Sequence, residues 1–141
     1  MLKKHIIYCP YAYEKGKNSG QNMGKDLEKN MRIYLKNASV ALVSAKHCNP
    51  DCTVAFVTNL DINDIPDEFN RLFKKFKIEI IHVPYDCFLF EKEYLWSLAF
   101  YKLCALKHIS KMDYDYISYM DTDVYIQTGG GVQFGKSALK I

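Results

Sequence analysis

Four short apolar runs recur along the chain, and each is bounded by turn-forming residues. These runs, residues 5–12, 53–59, 77–83 and 116–120, are rich in β-branched and aromatic side chains, which favour strands. Most of them lack regular polar positions, as is typical of strands that are covered on both faces of a sheet. The pattern therefore predicts four strands, and those over residues 5–12, 53–59 and 116–120 are expected to be buried.

Three longer segments carry apolar residues at three- and four-residue steps, which predicts amphipathic helices over residues 26–47, 67–76 and 91–110. Pro66 is well placed to begin the second helix, because proline is favoured at helix starts. The apolar stripe of the third helix is broad, so we expect this helix to be covered on more than one side. The residues predicted to face the core from the second helix are Phe69, Leu72, Phe73 and Phe76.

Strands and helices thus alternate in the order β-α-β-α-β-α-β, with short connections. This order predicts an α/β fold with a mostly parallel sheet and right-handed crossovers, in which ligands bind at the carboxyl ends of the strands. A length of 141 residues suits one domain. We expect that domain to span residues 1–126 and to be followed by a glycine-rich, loosely ordered tail over residues 127–141.

Composition and charge narrow the possible functions. The net charge is +3 with both signs mixed along the chain, which argues against a nucleic-acid-binding protein. The sequence contains no apparent transmembrane run or signal peptide, so we expect a cytoplasmic protein.

Five irregularly spaced cysteines favour reduced, mostly buried thiols. His47, Cys48 and Cys52 lack a second ligand pair for zinc.

The most informative stretch is YISYMDTDVYI, residues 116–126, in which an apolar run ends in Asp121 and Asp123. Residues two apart on an extended chain project to the same side, so the two carboxylates are expected to lie together. Two like charges at the end of a buried strand are costly unless they are compensated. A divalent cation that bridges them to a phosphate would compensate them, and Mg²⁺ or Mn²⁺ prefers such oxygen ligands.

Three functions are compatible with this aspartate pair. In the first, the cation binds a nucleotide diphosphate and offsets charge on the departing group. The second is a phosphohydrolase of the haloacid dehalogenase type, with the first aspartate as nucleophile. That signature has Thr or Val where this chain has Tyr125, and it normally opens a domain. The third is a structural or regulatory protein with carboxylates on its rim.

Several segments resemble one known family. Tyr101-Lys102-Leu103, the Asp113-x-Asp115 turn and YISYMDTDVYI are similar to the nucleotide-sugar half of GT-A glycosyltransferases. The similarity is greatest to the group that contains glycogenin and the bacterial lipopolysaccharide galactosyltransferases. It extends over residues 5–126, and its most specific part is Asp121-Thr122-Asp123.

The resemblance implies a Rossmann-like GT-A fold and metal-dependent transfer of a sugar from a nucleotide diphosphate, most often UDP, to an acceptor that the sequence does not identify. It implies that Asp121 and Asp123 coordinate Mn²⁺ or Mg²⁺, with Asp121 also approaching the ribose. Lys102 would lie near the sugar or diphosphate, and Thr122 would contribute backbone contacts. The positions expected to border the base and ribose are Tyr11, Ala12, Asn59 and Asp61.

The family continues past this motif into elements that bind the acceptor, and in many members a histidine there completes the metal site. No histidine or acidic residue follows Asp123 in this chain. We therefore expect the donor-binding portion of such an enzyme, truncated after the Asp-x-Asp strand, with open sheet edges that favour self-association. The alternative is a catalytically silent nucleotide-sugar-binding or interaction module.

Overall fold

The centre of the fold is a four-stranded parallel sheet. A computed structural model describes residues 3–14, 27–89 and 97–126, so the predicted tail over residues 127–141 lies outside the described residues. The predicted α/β class with a parallel sheet is confirmed. The strands are β1 (His5–Tyr11), β2 (Thr53–Thr58), β3 (Glu79–His82) and β4 (Tyr116–Tyr119).

The described residues also form three α-helices, none of which is both long enough and apolar enough to cross a membrane. The predicted third helix is wrong over Ser97–Phe100, which form a 3-10 helix, and its residues 91–96 lie outside the described residues. Leu98 and Tyr101 are both buried at a three-residue spacing, which suits a 3-10 turn at a helix start. The helices are α1 (Leu27–Cys48), α2 (Asp67–Lys75) and α3 (Tyr101–Ile109).

The strands lie in the order β3-β2-β1-β4, so β1 has a neighbour on each side. Ile7 of β1 is aligned with Val54 of β2 and with Ser118 of β4. The chain therefore moves outward from β1 to β3 and then returns to the opposite side of β1. Such a reversal of strand order creates a crevice at the carboxyl ends of the two strands involved, here β1 and β4.

Helices cover both faces of the sheet, and side chains of β1 enter both cores. Ile7 and Cys9 pack in a core that includes residues of α1 and α2, whereas Ile6 and Tyr8 pack in a core that includes residues of α3. This alternation is the two-residue period of a strand that is covered on both faces. The helix α3 lies on the opposite face of the sheet from α1 and α2, which agrees with the reversal of strand order after β3.

The exposure of α3 differs from the prediction of cover on more than one side. Tyr101, Cys104 and Ile109 face the core, but Leu103 and Leu106 are 38% and 39% exposed. Within the part of the chain that the structure describes, α3 is therefore buried on one face.

The pairing of β1 with β4 ends near Pro10 for a reason that lies in the backbone. The carbonyl of Tyr8 accepts a hydrogen bond from the N–H of Met120 at 2.9 Å, so the backbone polar groups of Tyr8 face β4. Groups two residues further along a strand face the same side, and Pro10 has no N–H to offer there. The chain leaves the sheet after Met120 and turns, with the N–H of Val124 donating to the carbonyl of Asp121 at 3.4 Å.

The end of α2 corrects part of the predicted core. Phe69 and Phe73 are buried as predicted, but Phe76 is 38% exposed. The helix stops at Lys75, and Lys77 takes a positive φ of 57°. The N–H of Ile78 then donates to the carbonyl of Phe73 at 2.8 Å, which is the pattern of a Schellman helix end. Helical periodicity therefore no longer determines where the side chain at position 76 points.

Two phenylalanine substitutions test this assignment. Phe73→Ala is expected to lower the free energy of unfolding by about 3–5 kcal/mol, because it leaves a cavity in the core. Phe76→Ala is expected to cost less, about 1–2 kcal/mol, because this side chain is 38% exposed and removes less apolar area from water. Urea unfolding followed by circular dichroism measures both values. Equal losses in the two variants would contradict the assignment of Phe73 alone to the core.

Candidate functional site

Five of the predicted binding residues line one depression of about 190 Å³ at the carboxyl ends of β1 and β4. Tyr11 and Ala12 come from the end of β1, Lys102 comes from α3, and Asp121 and Thr122 follow β4. The depression therefore lies at the reversal of strand order, where sheets of this kind bind ligands. Residues that are far apart in sequence meet there because of the strand order.

Asp123 lines an adjoining depression of about 320 Å³ together with Asp121 and Thr122. Tyr34, Asp121 and Thr122 belong to both linings, so the two depressions form one continuous surface around the Asp121-Thr122-Asp123 segment. The wall opposite the aspartates is supplied by one face of α1, namely Asn30, Ile33, Tyr34 and Asn37.

The two aspartates lie on a turn, and the expectation that they extend a strand is wrong. β4 ends at Tyr119, and residues 121–124 form the turn that follows the loss of pairing near Pro10. Both carboxylates are exposed and both line the same depression. The two carboxylates therefore lie at one surface, as predicted. The turn brings them there, and not the two-residue period of a strand.

Tyr119 connects the carboxylate of Asp121 with the cation of Lys102. Its hydroxyl donates a hydrogen bond to Oδ1 of Asp121, and Nζ of Lys102 lies 5.5 Å from the centre of its ring. That distance is within the range of a cation–π interaction. The hydroxyl of Tyr8 in turn donates to the backbone carbonyl of Lys102 at 3.1 Å, which fixes α3 against the sheet.

The charges of the site act on neighbouring groups. Burial raises the pKa of the Cys9 thiol well above its ordinary value, and the charges of Asp121 and Asp123 raise it further. Burial, followed by the hydrogen bond to Asp121, also raises the pKa of Tyr119. The Tyr119 hydroxyl therefore keeps its proton at neutral pH and remains a donor to the carboxylate.

The donor set of Asp121 and Asp123 fits a hard divalent cation. Both side chains are exposed carboxylates, and no third carboxylate, histidine or cysteine among the described residues joins them in a ligand cluster. Mg²⁺ or Mn²⁺ commonly binds one or two protein carboxylates and takes its other ligands from water and substrate phosphates. Lys102 is the single cationic side chain that the described residues contribute to the two depressions.

Asn59 and Asp61 are not among the residues that line either depression. The side-chain amide of Asn59 accepts a hydrogen bond from the N–H of Tyr13 and donates one to its carbonyl, both at 2.8 Å. Asp61 accepts from the N–H of Asn63 at 2.9 Å and caps the 3-10 turn Ile62–Asp64. Asn59 therefore fixes the segment that follows β1, while contacts of either residue with a ribose remain predictions.

Sequence reasoning missed the contribution of α1 to this surface. Tyr34 falls on the apolar stripe of the sequence pattern over residues 26–47, yet it lines both depressions, and its ring lies 5.3 Å from the ring of Tyr11. Asn30 and Asn37 recur with Tyr34 at helical spacing, which places them on one face. These two asparagines beside an otherwise apolar stripe are the signal in the sequence that α1 lines the depression opposite the aspartates.

A second group with metal-ligand chemistry lies elsewhere in the described residues. Asp86, Cys87, Cys104 and His108 each place one ligand atom within 4.8 Å of the others. The hydrogen bond to His108 lowers the pKa of Asp86 to about 2, so its carboxylate is charged at neutral pH. The four-residue spacing of Cys104 and His108 on a predicted helix is the sequence signal for this cluster.

The cysteines considered for zinc in the sequence have other partners. The thiol of Cys48 contacts the carbonyl of Ile126 at 3.6 Å, and the sulfur of Cys52 lies 3.5 Å from Nδ1 of His5. His47 is exposed on α1. The three side chains therefore engage different parts of the protein.

A larger groove of about 760 Å³ runs between the ends of α1 and α2 and is mainly apolar. Val40 and Val43 of α1 and Leu72 of α2 line it, together with Tyr125. No aspartate or glutamate belongs to its described lining, so it offers no carboxylate ligand for Mg²⁺ or Mn²⁺. The smaller depressions at the aspartates are the better candidate site, because their chemistry and their place in the sheet agree.

No protein-family model matches this chain, and no curated protein is significantly similar to it in sequence. The candidate site therefore rests on the residues themselves and on their arrangement in the sheet.

Asn59 provides a test of how this edge of the sheet is held together. Asn59→Ala is expected to lower the free energy of unfolding by about 1–3 kcal/mol, because it leaves the backbone groups of Tyr13 without their partner. Asn63→Ala, at an exposed position on the next turn, serves as the control and is expected to change it by about 0.5 kcal/mol or less. Chemical denaturation of both variants checks this, and an unchanged Asn59→Ala would contradict a fixing role.

Proposed function

We propose that this chain binds a nucleotide diphosphate-sugar, with a UDP-sugar as the first candidate, through Mn²⁺ or Mg²⁺ held by Asp121 and Asp123. In this proposal it is the donor-binding portion of a GT-A-like glycosyltransferase that transfers the sugar to an acceptor. The observation that carries the proposal is the position of the two exposed aspartates beside Lys102 at the crevice between β1 and β4. That crevice is where α/β sheets bind nucleotides.

Four side chains at the crevice have a role in this proposal. Asp121 and Asp123 hold the cation, which supplies stabilisation of the negative charge on the departing diphosphate. The hydroxyl of Tyr119 orients the carboxylate of Asp121, as hydrogen-bond partners of metal ligands commonly do. The ammonium group of Lys102 attracts the diphosphate to the crevice.

The aromatic side chains near the end of β1 suit the other end of the ligand. The rings of Tyr11 and Tyr34 lie 5.3 Å apart at an angle of 36°, and both line the depression next to the aspartates. Nucleotide bases bind aromatic side chains by stacking. The base is therefore expected at Tyr11 and Tyr34, with the diphosphate directed towards Asp121.

Substitution of the aspartates tests the binding claim. Asp121→Ala and Asp123→Ala are each expected to weaken Mn²⁺-dependent UDP binding by more than about tenfold, since loss of even an outer-shell partner of a metal commonly costs about 10–100-fold. Isothermal titration of UDP with Mn²⁺, and again with a chelator, measures this. Asp64→Ala removes an exposed carboxylate on another turn and is the matched control.

Unchanged affinity in both aspartate variants would exclude the metal–diphosphate site. Release of free UDP from a UDP-sugar then separates an enzyme from a binding module. Metal-dependent binding without any turnover, across a panel of sugars and acceptors, would favour the catalytically silent module.

Tyr119→Phe tests the orientation of Asp121 while it retains the ring beneath Lys102. The variant is expected to lower Mn²⁺-dependent UDP affinity by about 10–100-fold, because it removes a hydrogen bond to a metal ligand. Tyr116→Phe, on the same strand, removes a tyrosine hydroxyl outside the two depressions and is the control. Equal affinities for the two variants would show that the Tyr119 hydroxyl does not act on the cation.

A further inference from the structure

Asp86, Cys87, Cys104 and His108 lie between the segment that follows β3 and the middle of α3. Sγ of Cys87 is 2.9 Å from Sγ of Cys104, and Nε2 of His108 is 2.8 Å from Oδ1 of Asp86. Cys104 and His108 are four residues apart on α3, so their side chains project from the same face of the helix. The segment after β3 thus contributes two ligand atoms and α3 contributes the other two.

We propose that these four side chains bind a zinc ion, in a structural site that is separate from the candidate nucleotide site and does not depend on its function. The set of two sulfurs, one imidazole nitrogen and one carboxylate oxygen matches the four-coordinate tetrahedral preference of zinc. Thiolate and imidazole ligands favour zinc over Mg²⁺ or Mn²⁺, which select oxygen ligands. The chain therefore contains donor sets for two different classes of metal.

The surroundings of the cluster are held in place without a metal. The N–H of Val83 donates to the carbonyl of Thr58 at 2.9 Å, and the hydroxyl of Tyr101 donates to the carbonyl of Val83 at 2.6 Å. These bonds fix the segment after β3 to β2 on one side and to α3 on the other. Cys104 is buried whereas Asp86 is exposed, so an ion can enter from the side of Asp86.

The spacing of the sulfurs is compatible with zinc after a small adjustment. Two zinc–sulfur bonds at a tetrahedral angle separate the sulfurs by about 3.8 Å, so Cys87 and Cys104 have to move apart by about 1 Å. Cys87 is only partly buried, and rotation of its side chain allows this movement. Both cysteines are free thiols. A bound ion would tie the segment after β3 to α3 more firmly than the present hydrogen bonds.

Metal titration of the reduced 141-residue chain tests the proposal. Co²⁺ alone is expected to bind one equivalent with the absorption of a tetrahedral thiolate complex, and Zn²⁺ is expected to displace it. Zn²⁺ is also expected to raise the melting temperature, because it binds the folded state. Asp121→Ala/Asp123→Ala is expected to retain this absorption, since the two sites are separate. A reduced chain that gives no thiolate–cobalt absorption would overturn the proposal.

Variants at partly buried ligands keep the test independent of folding. Cys87→Ser and His108→Gln are each expected to weaken Zn²⁺ binding by more than about 100-fold, beyond the usual effect of an outer-shell change. Cys52→Ser, another partly buried thiol outside the cluster, is the matched control and should bind as the parent does. Circular dichroism checks that each variant is folded. Undiminished affinity in folded Cys87→Ser, or a Cys87–Cys104 disulfide that persists in reductant and excludes metal, would overturn the assignment.

Discussion

The burial of β1 on both faces and along both edges is the constraint on which the rest of the structure depends. Ile6, Ile7 and Cys9 are 0% exposed, and the strand pairs with β2 on one side and with β4 on the other. Such a strand has to be apolar throughout and has to find partners for its backbone on both edges. Its carboxyl end is consequently where the centre of the sheet meets the crevice, and the candidate site forms there.

The sequence was sufficient for the fold class because short runs rich in β-branched and aromatic residues mark the strands and each helix repeats its apolar positions at helical steps. It was insufficient for the geometry of the aspartate pair. The turn that carries Asp121 begins where the pairing of β4 with β1 ends, near Pro10, which is distant in sequence and becomes a neighbour only through strand order. Tyr34 illustrates the same limit, since an aromatic residue on an apolar stripe is equally suited to the core and to its rim. Because β4 lies beside β1, the segment after β4 faces Tyr34, and Tyr34 lies at the rim.

The cysteine–histidine cluster shows why local patterns also miss ligand sets. Cys104 and His108 have a helical spacing, but Asp86 and Cys87 join them only because the segment after β3 packs against α3. The same helix presents Lys102 to the crevice, two residues before Cys104 and therefore on a different face. The crevice beside the aspartates and the cysteine–histidine cluster therefore use different faces of α3.

Pro10 influences the backbone at the crevice between β1 and β4, because it lacks an N–H. A residue with an N–H at this position would provide β4 with one more backbone donor, and the ladder between β1 and β4 would be able to continue beyond Met120. Asp121 would then be drawn into the sheet, and the turn that exposes the two carboxylates would lose its starting point. The reversal of strand order thus forms the crevice, and Pro10 favours the turn that exposes the two carboxylates within it.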